Sequence, residues 1–405
     1  MGTRKTKPLH AAWTRRLNPK MHVLQSPPDA VVTIDGREYL YFVGTGYLGL
    51  QCHPEVIKAA CRATERYGIH SATTRAGFGN SPPLLEAERR AAELFDARCA
   101  FYFATGYAGN AILLAALQDR FDVLFADELS HYSVLEAARQ SRLPVFTFHH
   151  RDPGDLAAAL KKNLGPGRRP LLMTDGVFSV RGTIAPLAEY RAVLSGYPGA
   201  GMMVDDAHAV GVLGRHGRGT LEHFGLFDST MWHSRPRLCS SKFTAEGGCA
   251  TFLTATASKA IGGFGGIIPG SQDFIERVKR SSHWFDGASA PVAAAAAATA
   301  KAIELLMADP QRRTRLWSNV RKIKAGLRGL GLDVDDSPVP IICLTLGDAD
   351  NMRRIQCELM QRGIAAAYLP TYSGLGTEGG LRIAVFATHT EAMIERLIDE
   401  LRRLV

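Results

Sequence analysis

The chain has 405 residues, of which 46% are hydrophobic and 21% charged, and carries a formal net charge of +9. This length exceeds the roughly 250–300 residues at which a single core stops growing, so two domains are expected, and the composition excludes a disordered or fibrous protein. No apolar run approaches the roughly 20 residues of a membrane helix, and Lys and Arg are interleaved with carboxylates, so neither a membrane span nor a nucleic-acid partner is expected.

The opening MGTRKTKPLHAAWTRR is a basic cluster without the apolar core of a secretory signal, which predicts a cytoplasmic location. DAVVTIDGREYLYFV reads as two strands around the turn Asp35-Gly36. A helix follows over HPEVIKAACRATERYG, with Pro54 just inside its start and Gly68 just past its end, and SPPLLEAERRAAELFD is the next. From Cys99 the pattern alternates. CAFYFAT, DVLFAD, LPVFTFHH and RPLLMTD are strands, each followed by a helix, and GAGMMVDDA is a further strand. Units of about 30 residues of this kind predict a parallel sheet covered on both faces, with ligands bound beyond the carboxyl ends of its strands. Residues 228–253 read as a long connection, and TATASKAIGGFGG (254–266) as a glycine-rich loop around Lys259. The alanine-rich run Pro291 to Leu306 is a packing helix, and the last stretch of the chain is a smaller α+β unit. The predicted division is an N-terminal segment 1–55 packing with the small domain, a large domain 56–295 and a small domain 296–405.

Seven cysteines, at 52, 61, 99, 239, 249, 343 and 357, form no close pair. They read as reduced thiols, and Cys239, Cys249 and His233 are not expected to hold a metal.

The polar residues at the predicted strand ends carry the chemistry. Asp205 closes an apolar strand, and His208 follows three residues later. Thr105, Gly106 and Tyr107 sit where a strand passes at once into a helix, whose free N–H groups and partial positive charge suit an anion. No G-x-G-x-x-G or G-K-[ST] is present, so this seat resembles neither a dinucleotide nor a P-loop signature. His131 starts a helix at the same edge, and Ser179 and Arg181 follow another strand. Lys259 lies between Thr256 and Ser258 on one side and Gly262, Gly263, Gly265 and Gly266 on the other, glycines expected to let the backbone pass close to a ligand. Taken singly, an Asp there caps a turn and a His is structural. Together, an anion seat, a strand-end carboxylate, a candidate stacking ring and a desolvated lysine suit pyridoxal 5′-phosphate (PLP), which needs a Schiff-base lysine, an anion for its pyridinium nitrogen and an anchored phosphate.

These motifs resemble the α-oxoamine synthase family of PLP-dependent enzymes from about Asp35 to the C-terminus. YLGL with HPEV, GNSP with LLEAE, TGYAGN, DELSHYSVLEAA, TDGVFSVRGTIAPL, VDDAHAVGVLGRHGRG, T-x-S-K with glycines, and LRIAVFATHT occur in the family's order. The pattern is most similar to the subgroup of 8-amino-7-oxononanoate synthase and 2-amino-3-ketobutyrate CoA ligase. The resemblance implies an α/β fold of fold-type I, with a large mostly parallel sheet domain and a smaller α+β C-terminal domain, assembled as a homodimer with its active sites at the interface. It makes Lys259 the covalent attachment point and proton shuttle, Asp205 the partner of the pyridine nitrogen, His208 the partner of the phenolic oxygen and His131 the stacking ring. Ser179 would lie near that oxygen, and Thr105, Gly106, Tyr107 and Thr256 would hold the phosphate. Thr45, Arg75 and Arg382 would meet substrate, Arg382 through the amino acid's carboxylate. The implied reaction joins an amino acid to an acyl-CoA or acyl-carrier thioester, with decarboxylation, to give an α-amino ketone; the same cradle would also serve an aminotransferase. The chain departs from the family in having Thr45-Gly46 where an Asn-Asp pair is common, no histidine within GNSPPLLEAE, and the longer 228–253 segment, which is expected to bear on the acyl pocket.

Overall fold

The computed structural model describes residues 22–227, 249–372 and 374–405. The basic opening cluster, His233, Cys239 and most of the 228–253 segment fall outside the described residues.

β1 (Val31–Ile34) and β2 (Arg37–Tyr41) form the expected hairpin, turned by Asp35 and Gly36 at φ 50° and 80°. Positive φ at both turn residues matches the right-handed twist of the flanking strands. α1 (Pro54–Tyr67) opens with His53 accepting the Glu55 N–H and ends at Gly68, φ 72°. α2 (Pro82–Leu94) buries Leu84, Ala87, Ala91 and Leu94, one helical stripe. Then follow β3 (Cys99–Phe103), α3 (Gly109–Leu117), β4 (Val123–Asp127), α4 (Tyr132–Gln140), β5 (Val145–Phe148), α5 (Pro153–Asn163), β6 (Pro170–Asp175), α6 (Leu187–Leu194), β7 (Gly201–Asp205) and the short α7 (Thr220–His223). β8 (Ala250–Thr256) and β9 (Gly266–Gly270) flank the Lys259 loop, and α8 (Gln272–Ser281) and α9 (Ala293–Ala308) follow. The C-terminal part contains α10 (Gln311–Arg328), β10 (Ile341–Leu344), α11 (Ala349–Gln361), β11 (Ile364–Ala365), β12 (Ala367–Leu369), β13 (Gly380–Ala384) and α12 (Glu391–Leu404).

Seven strands make the main sheet, in the order β3-β9-β8-β7-β6-β4-β5. It is mostly parallel, and β9 alone runs against its neighbours, pairing antiparallel with both β8 and β3. Neither β8 nor β9 stands out in the sequence. Their antiparallel pairing is what makes the loop between them short and places it beyond the carboxyl end of β8. Side chains alternate between the two faces as a two-residue period requires. Phe101, Leu124, Leu171, Met203 and Ile268 join one buried cluster, while Tyr102, Phe125, Leu172, Met202 and Ile267 join the other. The second cluster continues through α10 to Leu404 of α12, so the main sheet and the C-terminal part share a hydrophobic interior. α9 packs against α1 and α2, its alanines allowing the close approach expected of that run.

Two small sheets complete the fold. β10-β13-β12 is antiparallel, and β1-β2-β11 joins the first hairpin to a strand more than three hundred residues later, with Ile364 opposite Leu40. Among the described residues no helix is long and apolar enough to cross a membrane, and no three His, Cys, Asp or Glu side chains are grouped to hold a metal.

Candidate active site

The carboxyl ends of β6, β7 and β8 lie side by side, with Asp175, Asp205 and Thr254 in register. Asp205 is only 7% exposed. Its Oδ2 accepts from Asn110 Nδ2 at 2.6 Å and from Ser133 Oγ at 3.5 Å, and its Oδ1 accepts from the Ala207 N–H at 3.1 Å. No ion pair to it occurs among the described residues. A buried carboxylate with only neutral donors is expensive, and a cationic N–H placed against it relieves that cost.

His131 caps α4. Its backbone N–H donates to Asp175 Oδ2 at 2.7 Å, and its Nδ1 accepts the Ser133 N–H at 3.2 Å. Because a backbone N–H can only donate, the ring proton of the neutral form belongs on Nε2. Burial holds the ring below its usual range, helped by Lys259 and opposed by Asp205. His208 is buried too, and burial with the nearby charges of Lys259, Arg382 and His131 keeps it well below the ordinary histidine range. Asp175 is pushed the opposite way, far above the usual carboxylate range, chiefly by burial and then by Asp205.

Burial lowers the Lys259 ammonium to about 8, with Arg382 adding to the effect and Asp205 and Asp175 opposing it. Half of its amines are then neutral near pH 8, so the group is a nucleophile where an ordinary lysine is not. In the cofactor-free protein, reductive trapping of an aldehyde on Lys259, followed by peptide mass spectrometry against pH, should show a midpoint near 8. A midpoint near the ordinary 10.5 would contradict the buried environment.

The expected passage from β3 directly into a helix is corrected: a 3₁₀ turn, Gly106–Ala108, precedes α3. The first N–H groups of such a turn have no partner within it and could donate to an anion. At Gly106 a Cβ would collide with the Thr256 hydroxyl, which brings the seat against the end of β8. Thr256 Oγ1 donates to the Gly265 carbonyl at 3.0 Å and accepts the Ser258 N–H at 3.2 Å, while Ser258 Oγ accepts the Gly265 N–H at 3.1 Å.

Two of the glycines after Lys259 are required by the protein's own packing. Gly262 and Gly265 have φ 76° and 103°, and a Cβ on either would come within 2.5 Å of another backbone atom, the Gln51 nitrogen and the Phe103 carbonyl oxygen respectively. They let the lysine loop pack against the protein itself. Gly265→Ala should therefore destabilise the fold by about 1–3 kcal/mol, read as a lower thermal midpoint, and should reduce cofactor retention.

Arg382, in β13, is 9% exposed and donates from Nε to the Ser179 carbonyl at 3.1 Å and from Nη1 to the Gly44 carbonyl at 3.4 Å, with the Tyr47 phenol also beside it. Thr45 is the next residue in the chain after Gly44. No carboxylate pairs with Arg382 among the described residues, which leaves it able to take one from a ligand. Arg181 is exposed and donates to the Gly374 carbonyl. Tyr107 presents its ring edge to His131 at 5.9 Å and its hydroxyl to Glu136 at 2.6 Å.

Arg75 is not brought to this cluster. It is 2% exposed and makes four hydrogen bonds, to Asn80, to both oxygens of Glu88 and to the Tyr102 carbonyl, with the Phe101 and Phe285 rings alongside. These bonds hold the loop before α2 on the α2–β3 frame. Four residues of the cluster were not singled out by sequence reasoning: Tyr47, Asn110, Ser133 and Asp175. Asn110 is the one polar side chain in GNAILLAAL, and Asp175 closes its strand in register with Asp205, so both had a readable signal.

The set fits PLP on its donor chemistry: an unpaired buried carboxylate, two neutral imidazoles, a depressed lysine and a turn of free N–H groups beside Thr256. A family model described as aminotransferase class I and II matches residues 44–401. The 8-amino-7-oxononanoate synthase of Methylococcus capsulatus is 35% identical over 380 residues, covering 94% of this chain and 92% of the relative. The serine palmitoyltransferase of Sphingomonas wittichii superposes with a TM-score of 0.85 at 25% identity, covering 98% of this chain and 94% of that one. A high-resolution structure of SPT carrying PLP gives 0.84 at 25% identity, covering 95% and 92%.

Proposed function

The chain belongs to the α-oxoamine synthases, PLP-dependent enzymes within the aminotransferase class I and II family, and from that premise we propose that it joins a small amino acid to an acyl thioester, on CoA or an acyl carrier, with loss of CO₂. The observation that carries this reading is the convergence of Lys259, Asp205 and a guanidinium without a carboxylate partner, Arg382, on one strand-end cluster.

Lys259 would hold the cofactor covalently, Asp205 would accept the N–H of its pyridine ring, and His131 would pack on the ring face. His208 would donate to the ring oxygen with Ser179 nearby, and the turn at Thr105, Gly106 and Tyr107 would hold the phosphate together with Thr256. When bound, PLP supplies an electron sink for the charge left when a bond at the amino acid's Cα breaks. Arg382 takes the substrate carboxylate, a task for which a planar guanidinium is better shaped than an ammonium, and Thr45 would also meet substrate. Lys259 removes the proton from Cα and returns one after carbon–carbon bond formation, its depressed pKa matching that work near neutral pH. The acyl group leaves its sulfur as free thiol. A homodimer with the site at the interface, in the cytoplasm, completes the reading.

Incubating the PLP-loaded protein with glycine, alanine or serine and acyl-CoAs of graded length should release free thiol and an amino ketone. Conversion of the cofactor to its amine form, with a keto acid and no thioester requirement, would instead make the protein an aminotransferase.

A further inference from the structure

Tyr47 is fully buried, and its hydroxyl lies 2.8 Å from His208 Nδ1. Arg382 sits beside the same phenol and offsets part of the effect by which burial pushes that phenol up to about 12. The phenol is therefore a protonated donor at any working pH. Its partners leave one assignment: a guanidinium cannot accept a hydrogen bond, so the Tyr47 O–H donates to His208 Nδ1. A neutral His208 must then carry its proton on Nε2. The groups around His208 that carry or can carry charge are Tyr47, Lys259, Arg382 and His131, and all but Tyr47 oppose its protonation.

We propose that Tyr47 is a positioning residue that fixes His208 as the Nε2–H tautomer and, standing between His208 and Arg382, couples occupancy of the carboxylate site to the ring oxygen that His208 serves. The inference rests on the reading that Arg382 receives the substrate carboxylate and His208 faces the cofactor. A carboxylate on Arg382 cancels the positive field acting on Tyr47 and His208. Protonation on the cofactor side then becomes easier, and by linkage a protonated cofactor favours carboxylate binding. The two ends of the relay come from widely separated parts of the chain, and Tyr47 is the side chain that touches both.

The test titrates the visible absorbance of the PLP-loaded protein, near ~420 nm for a lysine-bound cofactor, against pH with and without propionate, a carboxylate with no amine. In the unaltered protein, saturating propionate should raise the midpoint by about half a pH unit or more, as expected of a neutralised nearby charge. In Tyr47→Phe that rise should shrink to less than half, and the midpoint without propionate should itself move. An unchanged midpoint with an unchanged propionate response in Tyr47→Phe overturns the proposal. Absence of the absorbance in the unaltered protein overturns the functional reading instead, and absence of any propionate effect there overturns the proposed coupling. Should the variant not fold, nitrogen NMR of histidine-labelled native protein, assigned with His208→Asn, decides the same point: a proton on Nε2 of His208 supports the relay, and one on Nδ1 sinks it.

Discussion

Replacing Lys259 with alanine should lower turnover on the order of ten-thousand-fold, because on the proposed reading one change removes both the covalent attachment point and the group that moves the Cα proton. Borohydride treatment of the PLP-loaded variant then leaves no modified peptide spanning 254–266. The fold is expected to survive. The lysine's folded pKa of about 8 lies below the ordinary 10.5, so the unfolded chain binds this proton more tightly. Between those two values the stability of the cofactor-free parent should rise with pH from this group, and below pH 8 the group is a standing cost. Lys259→Ala should thus melt no lower than its parent at pH 7 and should lose that rise. Turnover within tenfold of the parent would remove Lys259 from the centre of the assignment.

Asp205→Asn should reduce turnover by on the order of 100- to 1000-fold, the size of effect seen when one preorganised electrostatic contact is lost. The geometry makes the substitution a clean test. Asn110 Oδ1 has no hydrogen-bond partner of its own, so that amide can turn and present its oxygen to the new amide at 205. The local hydrogen bond is kept while the charge disappears. Without the carboxylate that favours its protonation, Lys259 should also trap aldehydes with a midpoint below 8. The two measurements, kcat with saturating substrates and the trapping curve, separate a lost charge from a disturbed fold. A variant that keeps both values would mean that the cofactor's nitrogen meets some other group.

The alternating units from Cys99 to Asp205 were legible because buried parallel strands are short apolar runs and the helices between them keep a 3.6-residue period. β9 was not, since GIIPG contains both residues that punctuate strands, and its identity comes from the pairing partners on either side. β11 and β12 are two and three residues long, too short to leave a period. In the site, Lys259, Asp205, His131 and His208 could be read because a charged or titratable group directly after an apolar strand is conspicuous. Tyr47 could not, because an aromatic residue beside Leu48 reads as core, which it also is; its second role depends on a histidine 161 residues away. Arg75 is the converse case: nothing local tells an arginine that binds a ligand from one that, as here, binds Glu88.

The hairpin of β1 and β2 has a bearing on how the molecule is made. Its partner β11, and Arg382, whose contact with Gly44 spans 338 residues, are both synthesised after the main sheet is complete. The proposed cofactor cradle, apart from its link to Tyr47, is built from residues 105–266 and can take shape first, whereas the proposed carboxylate end of the site waits for the last strands to dock. A nascent or truncated chain ending before Ile364 would therefore carry an unpaired β2 edge and would lack Arg382, the proposed carboxylate site. On the proposed reading, folding order alone would keep an unfinished chain from holding an amino acid by its carboxylate.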